Sequence, residues 1–180
     1  VIEKSFSLVS KSGFLGLLHP ESVYDDPNGQ PLRKEIYKRL KYHFQFKNEL
    51  VLFAEVHHET IYGSQIYSGE RNDIDFLSIN NLFHPFTIDG CFVHNGVGMA
   101  GGFKIKDESM NKMVWNIQPH KDRIVRIKSN ELKLMSSFFE NSNDFESSKL
   151  VNLHTQSIIN IIKNASDNFD IIESSQANDL

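Results

Sequence analysis

Residues 83–96 read FHPFTIDGCFVHNG, and their pattern decides the fold that the sequence predicts. The Asp-Gly dipeptide at positions 89–90 is a strong signal for a hairpin turn between two short apolar strands. That register sets His84 opposite Asn95 at the open end of the hairpin, with Gly96 following at once. An asparagine amide beside a glycine N–H is the donor pair that an oxyanion hole needs. From spacing alone, a simple Asn-Gly turn remains the favoured interpretation of the last two residues.

The composition is that of one ordinary globular domain. The chain has 180 residues, of which 39% are hydrophobic and 23% charged, and its formal net charge is −4. These values exclude a wholly disordered chain, a collagen and a coiled coil. The acidic balance argues against a dedicated phosphate-binding surface and leaves a local basic patch open. We expect a single domain over residues 1–165 and a polar tail at 166–180.

No segment of the sequence has the pattern of a targeting or membrane-spanning element. The N-terminal stretch is interrupted by Lys4 and Lys11, and no run approaches the roughly 20 apolar residues that a spanning helix needs. Cys91 is the only cysteine, which excludes an intramolecular disulfide and suggests a reducing compartment. We therefore expect a cytoplasmic protein that uses no cofactor and binds neither nucleic acid nor membranes.

Hydrophobic periodicity predicts strands and helices in mixed order, without regular β-α alternation, which indicates an α+β fold. Amphipathic patterns predict helices at 33–47, 130–140 and 147–165. Besides the hairpin, strands are predicted at 5–9, 14–18, 50–58, 113–118 and 123–128. The polar stretch 61–80 is predicted to be irregular.

The run HPFTIDGCFVHNG, residues 84–96, resembles the HP…HNG segment of class II glutamine amidotransferases, which are N-terminal-nucleophile hydrolases. Residues 54–63 (AEVHHETIYG) resemble the strand-to-loop segment of that family, and residues 129–140 (SNELKLMSSFFE) resemble its later helix opening. The three segments occur in the family's order. The resemblance implies a four-layer αββα sandwich that binds glutamine or a related small amide.

The resemblance also implies roles for seven residues. Asn95 and Gly96 would be the catalytic pair that holds the oxyanion. Five residues would contact the substrate: His57, Thr60, His84, Ser129 and Asn130.

Three departures from the family pattern argue against hydrolysis. Members of the family attack the glutamine amide with an N-terminal cysteine. This sequence begins with Val1, and whether a nucleophile precedes Val1 is left open. The family's arginine, which clamps the substrate carboxylate, aligns with His57, and its aspartate falls on Ser129 or Asn130. Cys91 does not replace the nucleophile, because four residues of strand would separate it from the oxyanion donors by about 13 Å.

Two other functions remain open. The first is a catalytically inactive sandwich that serves as a protein-interaction or assembly module, with another protein or a second copy as its partner. The second is a metal-dependent enzyme, because imidazoles and carboxylates suit zinc or iron. The residues in question are Glu55, His57, His58, Glu59, His84 and His94. Their spacing fits no known ligand motif, so no metal ligand is assigned.

Overall fold

The computed structural model describes residues 1–168, which form a five-stranded sheet, a two-stranded ribbon and five α-helices. The strands are β1 (Phe14–Pro20), β2 (Leu40–Lys47), β3 (Ile61–Ser68), β4 (Asp75–Leu82), β5 (Lys104–Asp107), β6 (Lys112–Trp115) and β7 (Val125–Lys128). The helices are α1 (Ile2–Phe6), α2 (Gln30–Tyr37), α3 (Phe86–Val93), α4 (Ser129–Glu140) and α5 (Gln156–Asn168). The predicted mixed α+β fold is confirmed.

The five-stranded sheet has the order β1-β3-β2-β4-β7, and β5 pairs with β6 in the ribbon. β3 is antiparallel to both β1 and β2, whereas β4 is parallel to β2 and antiparallel to β7. The link between β3 and β4, residues 69–74, must therefore cross the starting end of β2. No helix within residues 1–168 is both long and apolar enough to cross a membrane.

Arg71 holds this crossing link in place through hydrogen bonds. Its backbone N–H donates to the carbonyl oxygen of Lys38 over 3.0 Å. Its guanidinium donates to the carbonyl oxygens of Asp75 (2.9 Å) and Leu40 (2.5 Å). One residue thus joins the end of α2 through its backbone and the starts of β2 and β4 through its side chain.

Two apolar clusters cover the sheet. The larger one packs the helices α2, α4 and α5 against the middle of the sheet, and its fully buried members include Ile36, Tyr37, Leu40, Tyr67, Ile127 and Leu132. The smaller one joins β2, β3 and β4 to α3 through Phe46, Tyr62, Ile79, Leu82 and Cys91. Cys91 is fully buried in it, and this burial raises the pKa of its thiol. Cys91 therefore packs as a small apolar side chain.

The hairpin predicted at 83–96 is wrong, because Phe86–Val93 is helix α3. Thr87 and Cys91 lie one helical turn apart and are both fully buried. A Cβ added to Gly90 would lie 2.5 Å from the Cβ of Pro119, so this glycine allows the helix to pass close to a neighbouring segment. Gly90 therefore serves a close contact between two segments and not a hairpin turn.

The helix predicted at 33–47 is wrong beyond residue 37, where α2 ends and β2 soon follows. Ile36, Leu40 and Phe44 fit a period of four, yet only Ile36 lies in the helix. Leu40 and Phe44 pair with β3 instead. Cross-strand packing decides such a segment, because strand preference depends mainly on the neighbours that a sheet provides.

Other segments also differ from prediction. Residues 50–58, predicted as a core strand, form a loop after a short 3-10 turn. The stretch 61–80 holds β3 and β4, the strand predicted at 5–9 falls in and after α1, and the helix predicted from 147 begins only at Gln156. Several polar residues of β3 and β4 are buried, so neither strand shows the apolar alternation that marks a strand in a sequence.

The remaining predictions agree in position. Strands at 14–18, 113–118 and 123–128 correspond to β1, β6 and β7, and the helix at 130–140 corresponds to α4. The four-layer sandwich is not confirmed, since residues 1–168 supply one five-stranded sheet and one two-stranded ribbon. The polar tail predicted at 166–180 lies outside the described residues, apart from the last three residues of α5.

We expect Arg71→Ala to lower the free energy of unfolding by about 2–4 kcal/mol, because it removes a charged donor from two backbone carbonyls. Arg126→Ala is the matched control, since Arg126 bonds the exposed carboxylate of Asp75 rather than its backbone. Arg126→Ala should lower the free energy of unfolding much less, as is usual for the removal of an exposed ion pair. Urea denaturation, monitored by circular dichroism, measures the free energy of unfolding of both variants. Equal decreases in the two variants would contradict the role given to Arg71.

Candidate functional site

The seven residues that the sequence assigned to a site lie in four separate segments. His57 and Thr60 lie in the loop before β3, His84 precedes α3, Asn95 and Gly96 follow that helix, and Ser129 and Asn130 begin α4. A backbone hydrogen bond of 3.0 Å joins Thr60 to His57. Within residues 1–168, no hydrogen bond joins a site residue of one segment to a site residue of another.

The predicted oxyanion donors form a local turn. The backbone N–H of Gly96 donates to Nδ1 of His94 over 2.9 Å, and the Oδ1 of Asn95 accepts from the N–H of Val97 over 3.0 Å. Gly96 has a φ of +84°, which a glycine adopts readily. The backbone N–H of Gly96 is thus already hydrogen-bonded, as in the simple Asn-Gly turn that the spacing alone favoured.

Another group of polar side chains does converge, on a pocket of about 550 Å³ beside β2. Its inner polar residues are Glu21, His43, Gln45 and Asn80. The other lining residues are Ser22, Tyr24, Asp25, Ile61, Phe139, Glu140, Lys149, Leu150, Val151 and Asn152.

Glu21 is the centre of this group. One carboxylate oxygen, Oε2, lies 2.8 Å from Nε2 of His43 and accepts from the amide of Gln45 over 3.3 Å. The other, Oε1, accepts from the amide of Gln65 over 2.7 Å. Burial alone would raise the pKa of the Glu21 carboxyl, but the charge and hydrogen bond of His43, together with Gln45, outweigh burial and lower that pKa. Glu21 is therefore a carboxylate at neutral pH.

The network continues through His43 into the sheet. Nδ1 of His43 lies 2.8 Å from the hydroxyl of Ser78, which donates onward to Oδ1 of Asn80 over 3.2 Å. The amide of Asn80 donates to the carbonyl oxygen of Leu153 over 2.9 Å. Ser78, His43 and Glu21 are the residue types of a hydrolytic triad. Ser78 is fully buried and does not line the pocket, so a substrate in the pocket does not reach its hydroxyl.

The 3-10 turn after β1 and the strands β2, β3 and β4 bring these side chains together. Glu21 begins the 3-10 turn Glu21–Tyr24, which follows β1 directly, and His43 lies on the central strand β2. Gly63 on β3 leaves the space that the Glu21 carboxylate fills, because a Cβ there would overlap Oε1 of Glu21 and the amide of Gln65. The glycine is needed here for space rather than for a special backbone conformation.

The segment 149–152 forms one wall of the pocket. The amide of Asn152 donates to Oε1 of Gln45, and the ammonium of Lys149 lies 3.3 Å from a carboxylate oxygen of Asp25. Glu140 accepts from the backbone N–H of Lys149 over 2.7 Å. The lining carries three carboxylates and one lysine, so the pocket favours a positively charged group.

The sequence carries one signal that could have found this site. Polar residues occupy alternate positions in two strands that otherwise bury apolar side chains: His43 and Gln45 in β2, and Ser78 and Asn80 in β4. Alternate positions share one face of a strand, and buried polar groups must be hydrogen-bonded. Such pairs therefore indicate a polar network across neighbouring strands.

Comparison of the chain with protein-family models, with curated proteins and with solved structures gives no match. Among residues 1–168, no group of three or more His, Cys, Asp or Glu side chains is arranged to hold a metal ion.

Gly63→Ala should lower the free energy of unfolding by about 1–3 kcal/mol, since the new methyl group has to displace Glu21 or Gln65. Gly16→Ala is the matched control on the neighbouring strand β1, where a Cβ would meet only Ile66 at 3.5 Å, an ordinary contact. Thermal and urea unfolding of both variants measure the difference. If Gly63→Ala lowers the free energy of unfolding no more than Gly16→Ala does, the close packing of the network is contradicted.

The stability of the protein should depend on pH through Glu21. Because the pKa of the folded carboxyl lies below its ordinary value of 4.5, its stabilising effect is present above pH 4.5 and is lost as pH falls through the folded pKa. Glu21→Gln removes this dependence and leaves the other acidic groups unchanged. We expect the unfolding free energy of the wild type to fall more steeply below pH 4.5 than that of the variant; parallel curves would argue against the His43 contact.

Proposed function

We propose that the protein binds a small amide or amino-acid-like ligand, carrying a protonated amine, in the pocket lined by Glu21 and His43. The observation that carries the proposal is the Glu21 carboxylate, which is charged, almost fully buried and held on the inner side of a pocket. A buried charge is costly unless it is paired and hydrogen-bonded. A carboxyl group whose pKa is shifted by a charged partner in a cleft is typical of a functional site.

The ligand class follows from the groups that line the pocket. Gln45 donates one amide N–H to Glu21 and has a second N–H that can donate to the carbonyl oxygen of an amide ligand. Glu21, Asp25 and Glu140 supply the negative charge that an ammonium group requires. Lys149 lies at the edge of the pocket, where its ammonium, 3.3 Å from a carboxylate oxygen of Asp25, can also approach a ligand carboxylate. These requirements describe a free amino acid with a side-chain amide better than they describe a dicarboxylic acid.

The resemblance to class II glutamine amidotransferases supports the same ligand class from an independent feature, the HPF and HNG motifs. The family relationship and its four-layer sandwich remain predictions that depend on those motifs. We propose binding rather than hydrolysis, because Ser78 and Cys91 are both fully buried and neither lines the pocket. No observation within residues 1–168 favours the metal-dependent alternative.

Titration with L-glutamine, monitored by heteronuclear NMR, tests the proposal. We expect saturable shifts at the backbone amides of residues 21–25 and 149–152, and an affinity for L-glutamate at least tenfold weaker because of its second carboxylate. Glu21→Gln should weaken L-glutamine binding about tenfold or more, as expected for the loss of a charged partner.

Glu108→Gln is the control, because Glu108 is an exposed carboxylate beside Lys106 in the β5–β6 ribbon and lies outside the pocket lining. It should bind L-glutamine as the wild type does. The proposal fails if millimolar L-glutamine produces no saturable shift, or if Glu21→Gln, shown to be folded by circular dichroism, binds as tightly as the control.

A further inference from the structure

Strand β1 is an edge of the five-stranded sheet, since within the described residues it pairs with β3 alone. On its outer side, no hydrogen bond from elsewhere in residues 1–168 reaches the backbone of residues 14–18. An open strand edge is a template for another strand. Because this edge is long, uncharged and self-complementary, we propose that β1 pairs with β1 of a second copy of the chain, which joins two sheets into one.

The two edges of the sheet differ in their protection against such pairing. The other edge strand, β7, has only four residues, and two of them, Arg126 and Lys128, are exposed cations. A short edge strand with charged side chains opposes the addition of another chain. β1 has seven residues, FLGLLHP, and none of them is Lys, Arg, Asp or Glu. Its side chains therefore leave the edge open.

The side chains of β1 also expose apolar surface. Leu15 and Leu17 pack against the larger apolar cluster. Phe14, Gly16 and Leu18 share the opposite face of the strand, and the side chains of Phe14 and Leu18 are exposed by 70% and 57%. Exposed apolar groups beside an open edge indicate a surface that another chain covers.

A two-fold axis through Gly16 makes this face self-complementary. Antiparallel pairing about that axis sets Phe14 of each copy opposite Leu18 of the other, which is a favourable cross-strand pair. Gly16 faces its own copy, and its missing side chain leaves room for the neighbouring ring of Phe14. Even-numbered positions face even-numbered positions, so the backbone groups that point away from β3 meet matching groups. Axes through the neighbouring leucines would instead set Phe14 opposite Gly16 or Pro20.

The charges near the two ends of β1 are opposite in sign. Lys11 is exposed shortly before the start of the strand. Beside its last residues, 17–19, lies a pocket of about 540 Å³ whose lining includes Glu3 and Glu35. Glu35 is paired with Arg39, whereas Glu3 is an exposed carboxylate. Antiparallel pairing brings the start of one strand to the end of the other, so Lys11 of one copy approaches the acidic pocket of its partner.

The interface is small, which sets the strength of the association. Five paired residues span about 17 Å of strand, and a standard interface buries roughly 800 Å² per partner. One strand edge with two apolar side chains buries less than that. We therefore expect a dimer that forms at high protein concentration and dissociates on dilution.

Sedimentation velocity of the full chain over a concentration series up to about 1 mM tests the proposal. We expect the wild type to change from monomer to dimer. Leu18→Lys should weaken the association about tenfold or more, because it sets a charge against Phe14 of the other copy. Met113→Lys is the matched control, since Met113 lies on β6 and is exposed by 58%. It should associate as the wild type does, and circular dichroism checks that both variants are folded.

Disulfide cross-linking tests the register. The two-fold axis sets the Cα atoms of position 16 about 4.5–5.5 Å apart, within the range of a disulfide. The Cα atoms of position 18 are about 13 Å apart, which is outside it. Gly16→Cys should therefore form a covalent dimer under mild oxidation much faster than Leu18→Cys. The native Cys91 is fully buried, and a Cβ at Gly16 meets only Ile66, at 3.5 Å.

Three results would each overturn the proposal. The first is a wild type that stays monomeric over the whole concentration series. The second is equal association of Leu18→Lys and Met113→Lys, which would place the contact elsewhere on the surface. The third is cross-linking of Leu18→Cys as fast as that of Gly16→Cys, which would exclude the two-fold axis through Gly16.

Discussion

The buried hydrogen bond between Glu21 and His43 is the constraint on which the rest of this structure depends. Two groups that are charged or strongly polar lie almost fully inside the protein, so every remaining lone pair and proton needs a partner. Those partners come from three adjacent strands: Gln45 from β2, Gln65 from β3 and Ser78 from β4. The register of the central sheet is thereby tied to polar contacts as well as to apolar packing, because a shift by one residue would leave the pair unsatisfied.

The same constraint bears on the ligand binding that we propose. The inner polar groups of the pocket are held by one another, so a ligand bound there would cost little side-chain entropy. The arrangement also keeps the one buried serine of the network away from the pocket. Ser78, which has the residue type of a nucleophile, is used inside the network as a bridge between His43 and Asn80. What the pocket offers directly is charge and hydrogen bonding.

Local patterns in the sequence were enough to predict β1, β7 and α4, whose burial follows one face of a strand or helix. They failed at residues 86–93, where an Asp-Gly dipeptide typical of a turn lies in a helix. The decisive contact there is with Pro119, which is far along the chain. The alternating polar residues of β2 and β4 indicate a network, but no local motif predicts that Glu21 joins it, since Glu21 lies 22 residues from His43 and 44 from Gln65. Only the sheet order brings the three together.

That sheet order has a consequence for folding. The three central strands come from one continuous stretch, residues 40–82, whereas the edge strands β1 and β7 come from the flanks. Contacts close in sequence form at a low cost in chain entropy, so the centre of the sheet can form first. Glu21 and Asn152, however, arrive with the flanks. The pocket is therefore complete only in the fully folded chain, and any molecule that occupies it stabilises that state by mass action.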